Sequence, residues 1–163
     1  MTQEYAYITG AAGGIGLEVA RFLTKKGIKV FITDFNEKNL LVASQVLGAP
    51  YAVANVADWD SQVQAFKKAV AEFGRIDYVY PIAGIGENTW IPPLAPGQAE
   101  DDFAKPALAV IDVNVTGFLY SVAIAIQQFR RQGAGANGFK GKRMLRRIIS
   151  LKHTPVLFLG ALR

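Results

Sequence analysis

The sequence predicts an α/β fold in which helices cover both faces of a doubly wound parallel sheet of about five strands. Two observations support this prediction. Short apolar, β-rich runs alternate with segments whose apolar residues recur at helical spacing. Each of the first three helical segments is followed by a glycine, Gly27, Gly48 or Gly74, as is common after a helix C-terminus. Right-handed crossovers then place helices on both faces.

Four strands are predicted in the first half of the chain and a fifth close to its end. They cover residues 5–9, 28–33, 51–56, 76–84 and 146–150. The run IKVFIT is apolar throughout, which is typical of a parallel strand buried on both faces. The glycine-rich stretch GAGANGFKGK, residues 133–142, is predicted to be a loop before the fifth strand.

Four helices are predicted between these strands. The first covers residues 14–26 and the second residues 36–47. The third follows Asp58 or Asp60 as its N-terminal cap, and the fourth is a long helix after Pro106. The apolar faces are predicted to be Ile15, Val19, Phe22 and Leu23 in the first helix, Val63, Phe66, Val70 and Phe73 in the third, and Ile111, Val115, Phe118, Leu119, Val122, Ile126 and Phe129 in the fourth.

The length of 163 residues fits one domain over residues 1–163. With 51% hydrophobic and 19% charged residues, the chain can form a sizeable core. The chain has no cysteine and a single histidine, His153, which excludes disulfides, thiolate metal sites and histidine-rich metal sites. Absence of cysteine suits a reducing compartment, and we expect a cytoplasmic protein. The N-terminus does not resemble a signal peptide. The nearest candidate for a membrane span, residues 113–126, is too short.

Charge divides the chain into two segments. Residues 1–129 hold nine basic and 13 acidic residues, a balance of −4, whereas residues 130–163 hold nine basic residues and no acid. We therefore distinguish a core of βαβ units, residues 1–131, from a basic, acid-free tail, residues 132–163. We do not expect the tail to bind nucleic acid, because few aromatic residues are interleaved with the basic ones. A solvated charged loop is the favoured interpretation.

The most informative stretch is YITGAAGGIGLEVA, in which Gly10, Gly14 and Gly16 lie between a strand and a helix. Glycine permits a positive φ and a close approach of the backbone to a ligand. The first N–H groups of a helix lack partners and the helix dipole favours an anion there, so a pyrophosphate suits this place. A purely structural turn is the alternative.

Asp34 ends the second predicted strand, 18 residues after Gly16. A carboxylate at that position can accept hydrogen bonds from both ribose hydroxyls and would repel a 2′-phosphate. Phe35 follows it, where a preference for NADP would favour an arginine. The sequence therefore predicts a dinucleotide site that prefers NAD to NADP.

Four motifs in order resemble those of the short-chain dehydrogenase/reductase family, whose fold is Rossmann-like. They are TGAAGGIG at 9–16, NVAD at 55–58, PIAG at 81–84 and VNVTG at 113–117. Asn55 stands where the family has an acid that faces the adenine, and its amide oxygen could still accept from the adenine amino group. Pro81 and Ile82 replace two asparagines of the family motif. The cofactor residues implied are Thr9, Gly10, Gly14, Ile15, Gly16, Asp34, Phe35, Asn55, Val56, Ala83 and Gly84.

The resemblance also implies a catalytic relay of four residues, of which Asn114 and Ser150 can be placed. The family's general acid/base is a tyrosine 12–14 residues after the serine, with a lysine four residues beyond it, and no tyrosine follows Tyr120 in this chain. No sixth strand with its helix is expected either. The sequence therefore predicts a fold and a catalytic site that are incomplete on the C-terminal side.

Three functional hypotheses follow from the resemblance. The chain is by descent an NAD-dependent oxidoreductase of secondary alcohols or carbonyl compounds, with an apolar small-molecule substrate if it is active. Alternatively, it is a non-catalytic NAD-binding or dimerising module that self-associates or pairs with a longer homologue. A truncated or reading-frame-altered product is the third hypothesis.

Overall fold

Strands and helices alternate along the chain in the computed structural model, which describes residues 3–86, 103–135, 138–145 and 158–162. The strands are Tyr5–Thr9 (β1), Lys29–Asp34 (β2), Tyr51–Val53 (β3), Tyr78–Pro81 (β4), Gly141–Leu145 (β5) and Phe158–Leu162 (β6). The helices are Gly14–Lys25 (α1), Glu37–Leu47 (α2), Trp59–Phe73 (α3), Ala109–Ile111 (α4) and Phe118–Arg131 (α5), and a π-helical segment, Asp112–Gly117, joins α4 to α5.

The six strands form one sheet in the order β3-β2-β1-β4-β5-β6. All neighbouring pairs are parallel except β5 and β6, which are antiparallel. The α/β class with a parallel sheet is thus confirmed, although the described strands number six rather than about five. The chain continues from β1 to β2 on one side and places β4 on the other. The sheet therefore has a topological switch point between β1 and β4, where ligands bind in such folds.

The fifth strand begins earlier than the sequence predicts. Gly141 and Lys142 belong to β5 and not to a loop, and the predicted strand at 146–150 lies outside the described residues. Strand pairing sets this position, with Lys142 opposite Tyr78 and Arg143 opposite Val79. A side chain at Gly141 would collide with the Phe129 ring of α5, so this glycine allows the strand and the helix to come together.

Capping residues set the ends of α2 and α3. Asn36 Oδ1 accepts the N–H of Asn39 at 3.0 Å, and Asp58 Oδ1 accepts the N–H of Ser61 at 2.6 Å, which identifies Asp58 as the cap of α3. The predicted stops are also found, because Gly48 and Gly74 end these helices with φ of 61° and 75°.

Two apolar layers lie on opposite faces of the sheet, one under α1 and α2 and the other under α3 and α5. The predicted face of α3 is confirmed, with Phe66 buried and its neighbours packed beside it. The predicted face of α1 is partly wrong. Gly16, Ala20 and Leu23 are buried, whereas Ile15 and Phe22 are exposed, because small residues let the helix approach the sheet closely.

The predicted apolar face of the long helix is also partly wrong. Its buried residues are Asn114, Gly117, Ser121, Ile124, Ala125 and Phe129. Ile111, Val115 and Leu119 are exposed. A π-helical segment accommodates an extra residue in its turn and rotates the face that follows. A helical period of 3.6 residues applied across Asp112–Gly117 therefore predicts the wrong buried face.

One helical segment in the described part of the chain, Ala109–Arg131, is long and apolar enough by length and composition alone to cross a membrane. It is 23 residues long, longer than the 14-residue candidate predicted from the sequence. Its α5 portion packs against α3, β4 and β5, as the core helix of an α/β domain does.

Candidate functional site

A cavity of about 820 Å³ opens at the carboxyl edge of the sheet, over the ends of β1, β2, β3 and β4. The turn after β1, the residues after β2 and β3, and the backbone after β4 form its walls. Its lining includes every predicted cofactor residue except Thr9, namely Gly10, Gly14, Ile15, Gly16, Asp34, Phe35, Asn55, Val56, Ala83 and Gly84. The structure thus brings together residues from four separate stretches of the chain.

The glycines of the turn after β1 have different roles. Gly10 has φ of 71°, and a Cβ there would lie 2.6 Å from the Cα of Ala83, so the turn and the end of β4 can meet only at a glycine. A Cβ on Gly16 would collide with the carbonyl oxygen of Gly10. Gly14 has φ of 52° and nothing within 4 Å of its Cβ position. Gly10 and Gly16 therefore close the turn, while Gly14 leaves open space beside the cavity.

The N-terminus of α1 faces this open space without a side-chain cap. Gly13 occupies the cap position and supplies no side-chain acceptor to the first N–H groups of the helix. Uncapped amides and the positive end of the helix dipole together attract an anion. The turn, the uncapped helix and a cavity of this size fit the pyrophosphate of a dinucleotide.

Asp34 lies at the end of β2 and holds the adjoining backbone with both carboxylate oxygens. Its Oδ2 accepts the N–H of Ala12 at 3.0 Å, and its Oδ1 accepts the N–H of Asn36 at 2.9 Å. The side chain is half-buried and lines the cavity. These bonds fix the position of the carboxylate and at the same time tie the glycine turn to β2.

Thr9 lies behind the cavity wall and supports it. Its Oγ1 accepts the N–H groups of Ile82 and Ala83 at 3.1 and 3.2 Å, and the side chain is buried. These two bonds hold the backbone just after β4, where the family motif has asparagines and this chain has Pro81 and Ile82. Thr9 therefore positions the wall rather than lining the cavity.

Asn114 lies in the π-helical segment and binds the backbone of Ile85 with both ends of its amide. Its Oδ1 accepts the Ile85 N–H at 2.9 Å, and its Nδ2 donates to the Ile85 carbonyl at 3.0 Å. Ile85 lines the cavity, whereas Asn114 does not. This arrangement gives Asn114 a positioning role, and its catalytic role stays a prediction. Ser150 lies outside the described residues.

Asn55 follows β3 and is exposed at the cavity. Its Oδ1 accepts the N–H of Ala57 at 3.0 Å, while its own backbone N–H donates to Ser61 Oγ at 3.0 Å. The amide oxygen that the sequence suggested for the adenine therefore already has a partner within the chain.

A buried polar cluster beneath the cavity was not predicted from the sequence. Gln62 is 1% exposed, and its Nε2 donates to the carbonyls of Val56 and Gly117 at 2.6 and 2.8 Å. Ser121 Oγ donates to Gln62 Oε1 at 2.7 Å. The cluster ties the cavity wall at Val56 to the long helix. The sequence does contain a sign of this cluster, because Gln62 precedes Phe66 by four residues and so lies on the predicted apolar face of α3.

Comparisons with known proteins agree with the fold. A profile of the short chain dehydrogenase family matches residues 4–136. Acetoacetyl-CoA reductase of Cupriavidus necator is 32% identical over 155 residues, which cover 87% of this chain and 60% of that protein. A diacetyl reductase of Staphylococcus aureus, described as (S)-acetoin forming, is 32% identical over 137 residues, 81% of this chain and 50% of that protein.

Solved structures give the same result. A short chain dehydrogenase from Mycobacterium smegmatis has a TM-score of 0.67 at 23% identity and supports the fold, with 80% of this chain and 54% of that one covered. A 3-ketoacyl-(acyl-carrier-protein) reductase from Brucella melitensis, complexed with NADH, has a TM-score of 0.65 at 25% identity, with 78% and 50% covered.

The chain spans between 37% and 60% of the length of the first curated relatives that it matches. The family match covers most of the 163 residues. The chain therefore belongs to the short-chain dehydrogenase family.

Proposed function

We propose that this family member binds NAD in preference to NADP and is the cofactor-binding part of an oxidoreductase of secondary alcohols or carbonyl compounds. When bound, the nicotinamide would supply the hydride chemistry. The chain's own residues bind and orient the dinucleotide. The observation that carries the proposal is the carboxylate of Asp34, which stands in the wall of the cavity beside the glycine turn.

Asp34 supports the preference for NAD through its charge and its position. A carboxylate accepts hydrogen bonds from ribose hydroxyls and repels a phosphate carried on the same ribose. Its attachment to the backbone of Ala12 and Asn36 means that the repulsion is not easily relieved by turning the side chain away. Phe35 also lines the cavity and offers no positive charge to a 2′-phosphate.

Calorimetric titration with NAD and with NADP tests the cofactor proposal. We expect NAD to bind at least about tenfold more tightly, since repulsion worth about 1.4 kcal/mol gives that factor. In Asp34→Ala the ratio of the two affinities should fall towards one. Because this change also frees the Ala12 N–H, the ratio decides and not the absolute affinity. Glu37→Ala removes a charge from the start of α2 outside the cavity and should keep the ratio. Equal affinities in the parent chain would contradict the proposal.

Filling the open space beside Gly14 tests the position of the pyrophosphate. Gly14→Val adds a branched side chain where nothing lies within 4 Å, so we expect both dinucleotides to lose binding. Gly48→Val is the matched control, because Gly48 has a similar positive φ of 61°, its Cβ position also meets nothing within 4 Å, and it does not line the cavity. Unchanged affinity in Gly14→Val would place the pyrophosphate elsewhere.

We further propose that these 163 residues by themselves turn over no substrate. All six tyrosines lie in the described part of the chain, and none of them lines the cavity. Burial raises the pKa of Tyr7 and of Tyr80 to about 12, which moves both away from acid/base work near neutral pH. Positioned acid/base catalysis typically contributes about 10²–10⁴-fold to a rate.

NADH absorbance against a broad panel of secondary alcohols and ketones tests this second proposal. We expect no change above the buffer rate in the purified chain. Asn114→Ala is the diagnostic variant. Of the two residues that can be placed in the family's catalytic relay, Asn114 lies within the described residues and Ser150 does not. Turnover above the buffer rate in the parent chain would contradict the proposal. Its loss in Asn114→Ala with unchanged NAD affinity would then assign Asn114 a part in the reaction.

A binding or dimerising module is a second candidate function, and the long helix favours it. Ile111, Val115 and Leu119 recur every four residues and are between 40% and 56% exposed. An apolar stripe of this kind on the exposed side of a helix supports an interaction site. A dimerising module can also bind NAD. The test is whether the chain self-associates in solution.

A further inference from the structure

We infer that Asn55 makes the base subsite of this chain accept hypoxanthine about as well as adenine, because it presents a hydrogen-bond donor to the base. The inference rests on the proposed dinucleotide binding and concerns one end of that ligand. Three features carry it: the place of Asn55 in the cavity, the direction in which its amide is turned, and the different edges of the two bases.

Strand order determines which part of a dinucleotide meets Asn55. The cavity runs from the glycine turn after β1, past Asp34 after β2, to Asn55 after β3. With the pyrophosphate at the turn and the adjoining ribose at Asp34, the base lies beyond the ribose, over the end of β3. Asn55 and Ala57 form the wall there.

The local backbone determines the direction of the Asn55 amide. Its Oδ1 lies 3.0 Å from the Ala57 nitrogen, and a backbone N–H can only donate. The amide oxygen must therefore face Ala57, which removes the usual ambiguity between the oxygen and nitrogen of an asparagine side chain. Within the described part of the chain, Nδ2 donates to no protein atom.

The surroundings hold Asn55 in this orientation. Its backbone N–H donates to Ser61 Oγ at 3.0 Å, and its carbonyl accepts the Asp58 N–H at 3.1 Å. Both partners belong to the first turn or the cap of α3. The Asn55 backbone is thus fixed by α3, and the side chain closes a turn onto Ala57.

The two bases present opposite groups at the same position. Adenine carries an amino donor where hypoxanthine carries a carbonyl acceptor, and the neighbouring ring nitrogen accepts in adenine and donates in hypoxanthine. A carboxylate at this place would accept from the adenine amino group and repel the hypoxanthine oxygen. The Nδ2 group of Asn55 instead suits the hypoxanthine oxygen, or the ring nitrogen of adenine, so it does not select for the amino group.

Calorimetric titration with NAD and with its deaminated form, nicotinamide hypoxanthine dinucleotide, tests the inference. In the parent chain we expect the two affinities to agree within about threefold, less than the roughly tenfold that one well-placed hydrogen bond provides. In Asn55→Asp one carboxylate oxygen can keep the Ala57 N–H while the other faces the base. The ratio should then shift at least about tenfold towards NAD.

Gln64→Glu is the matched control, because it adds the same charge to α3 at an exposed position outside the cavity and should leave the ratio unchanged. A parent chain that prefers NAD by tenfold or more, with no further shift in Asn55→Asp, would overturn the inference and leave the proposed NAD binding intact. Failure of the parent chain to bind either dinucleotide would overturn the proposed binding and the inference together.

Discussion

Replacement of Gln62 by leucine should destabilise the fold more than any other single substitution of a polar side chain in α3. The side chain is 1% exposed and makes three hydrogen bonds of 2.6 to 2.8 Å. Leucine fills much of the same volume but leaves the carbonyls of Val56 and Gly117 without these donors. A buried polar group that loses its partner costs about 1–3 kcal/mol.

The hydrogen bonds around Gln62 set the loss of stability that we expect for Gln62→Leu. Ser121 Oγ also lies 3.1 Å from the Gly117 carbonyl, so its hydroxyl can turn to that oxygen when the glutamine is gone. Only the Val56 carbonyl then stays unpaired. The hydrogen bond between Ser121 and Gln62 is lost as well. We therefore expect a loss of about 2–4 kcal/mol in the free energy of unfolding. This is a large part of the roughly 5–15 kcal/mol typical of a domain.

Urea unfolding followed by circular dichroism measures this loss. Gln64→Leu makes the same chemical change two residues along at an exposed position, and should change the free energy of unfolding by less than about 0.5 kcal/mol. Ser121→Ala, alone and combined with Gln62→Leu, completes a double-mutant cycle, in which residues of one network couple by about 0.5–3 kcal/mol. Equal effects of Gln62→Leu and Gln64→Leu would refute the reasoning.

Three further predictions concern stability and association. Gly10→Ala should cost about 3 kcal/mol by urea unfolding, because its Cβ would lie 2.6 Å from Ala83 Cα at a φ of 71°, whereas Gly13→Ala should be neutral. Burial raises the pKa of Tyr7 from 10.0 to about 12, a shift that corresponds to about 3 kcal/mol in the free energy of unfolding. This stabilisation is fully present below pH 10 and is lost as the pH rises through 12. Tyr7→Phe should flatten that alkaline loss in pH-dependent unfolding, and an unaltered profile would exclude Tyr7 as its source. Leu119→Lys should shift sedimentation equilibrium towards the monomer, and a parent chain already monomeric at tens of micromolar would contradict the association proposal.

The elements up to β4 could be predicted from the sequence because their signals are local. Helices α2 and α3 begin after a capping side chain and end at a left-handed glycine, and both ends were found to within a residue or so. The glycine turn and Asp34 were recognisable for the same reason. Each combines a residue type with a short, fixed distance from a strand end.

The elements after β4 depend on contacts between distant residues, and local patterns could not reveal them. Strand β5 is placed by pairing with β4 and by the close approach of Gly141 to Phe129, while its sequence GKRML lacks the apolar run sought for a buried strand. The π-helical segment, Asp112–Gly117, likewise has no marker in residue spacing. A Cβ on Gly117 would lie 2.8 Å from the Val56 carbonyl, so this helix meets the cavity wall at a glycine.

Four of the predicted site residues hold the backbone that forms the cavity wall, a role that sequence spacing alone could not show. Asp34, Thr9, Asn55 and Asn114 each accept at least one backbone N–H at the carboxyl edge of the sheet. The N–H groups belong to Ala12, Asn36, Ile82, Ala83, Ala57 and Ile85. Replacement of any of the four by alanine removes a wall contact together with any contact to a ligand. A loss of affinity therefore cannot distinguish the two roles, whereas a ratio of affinities for two ligands that differ in one group can. The ratio of NAD to NADP affinity therefore reports the contact of Asp34 with the ligand, and the ratio for the adenine and hypoxanthine dinucleotides reports that of Asn55.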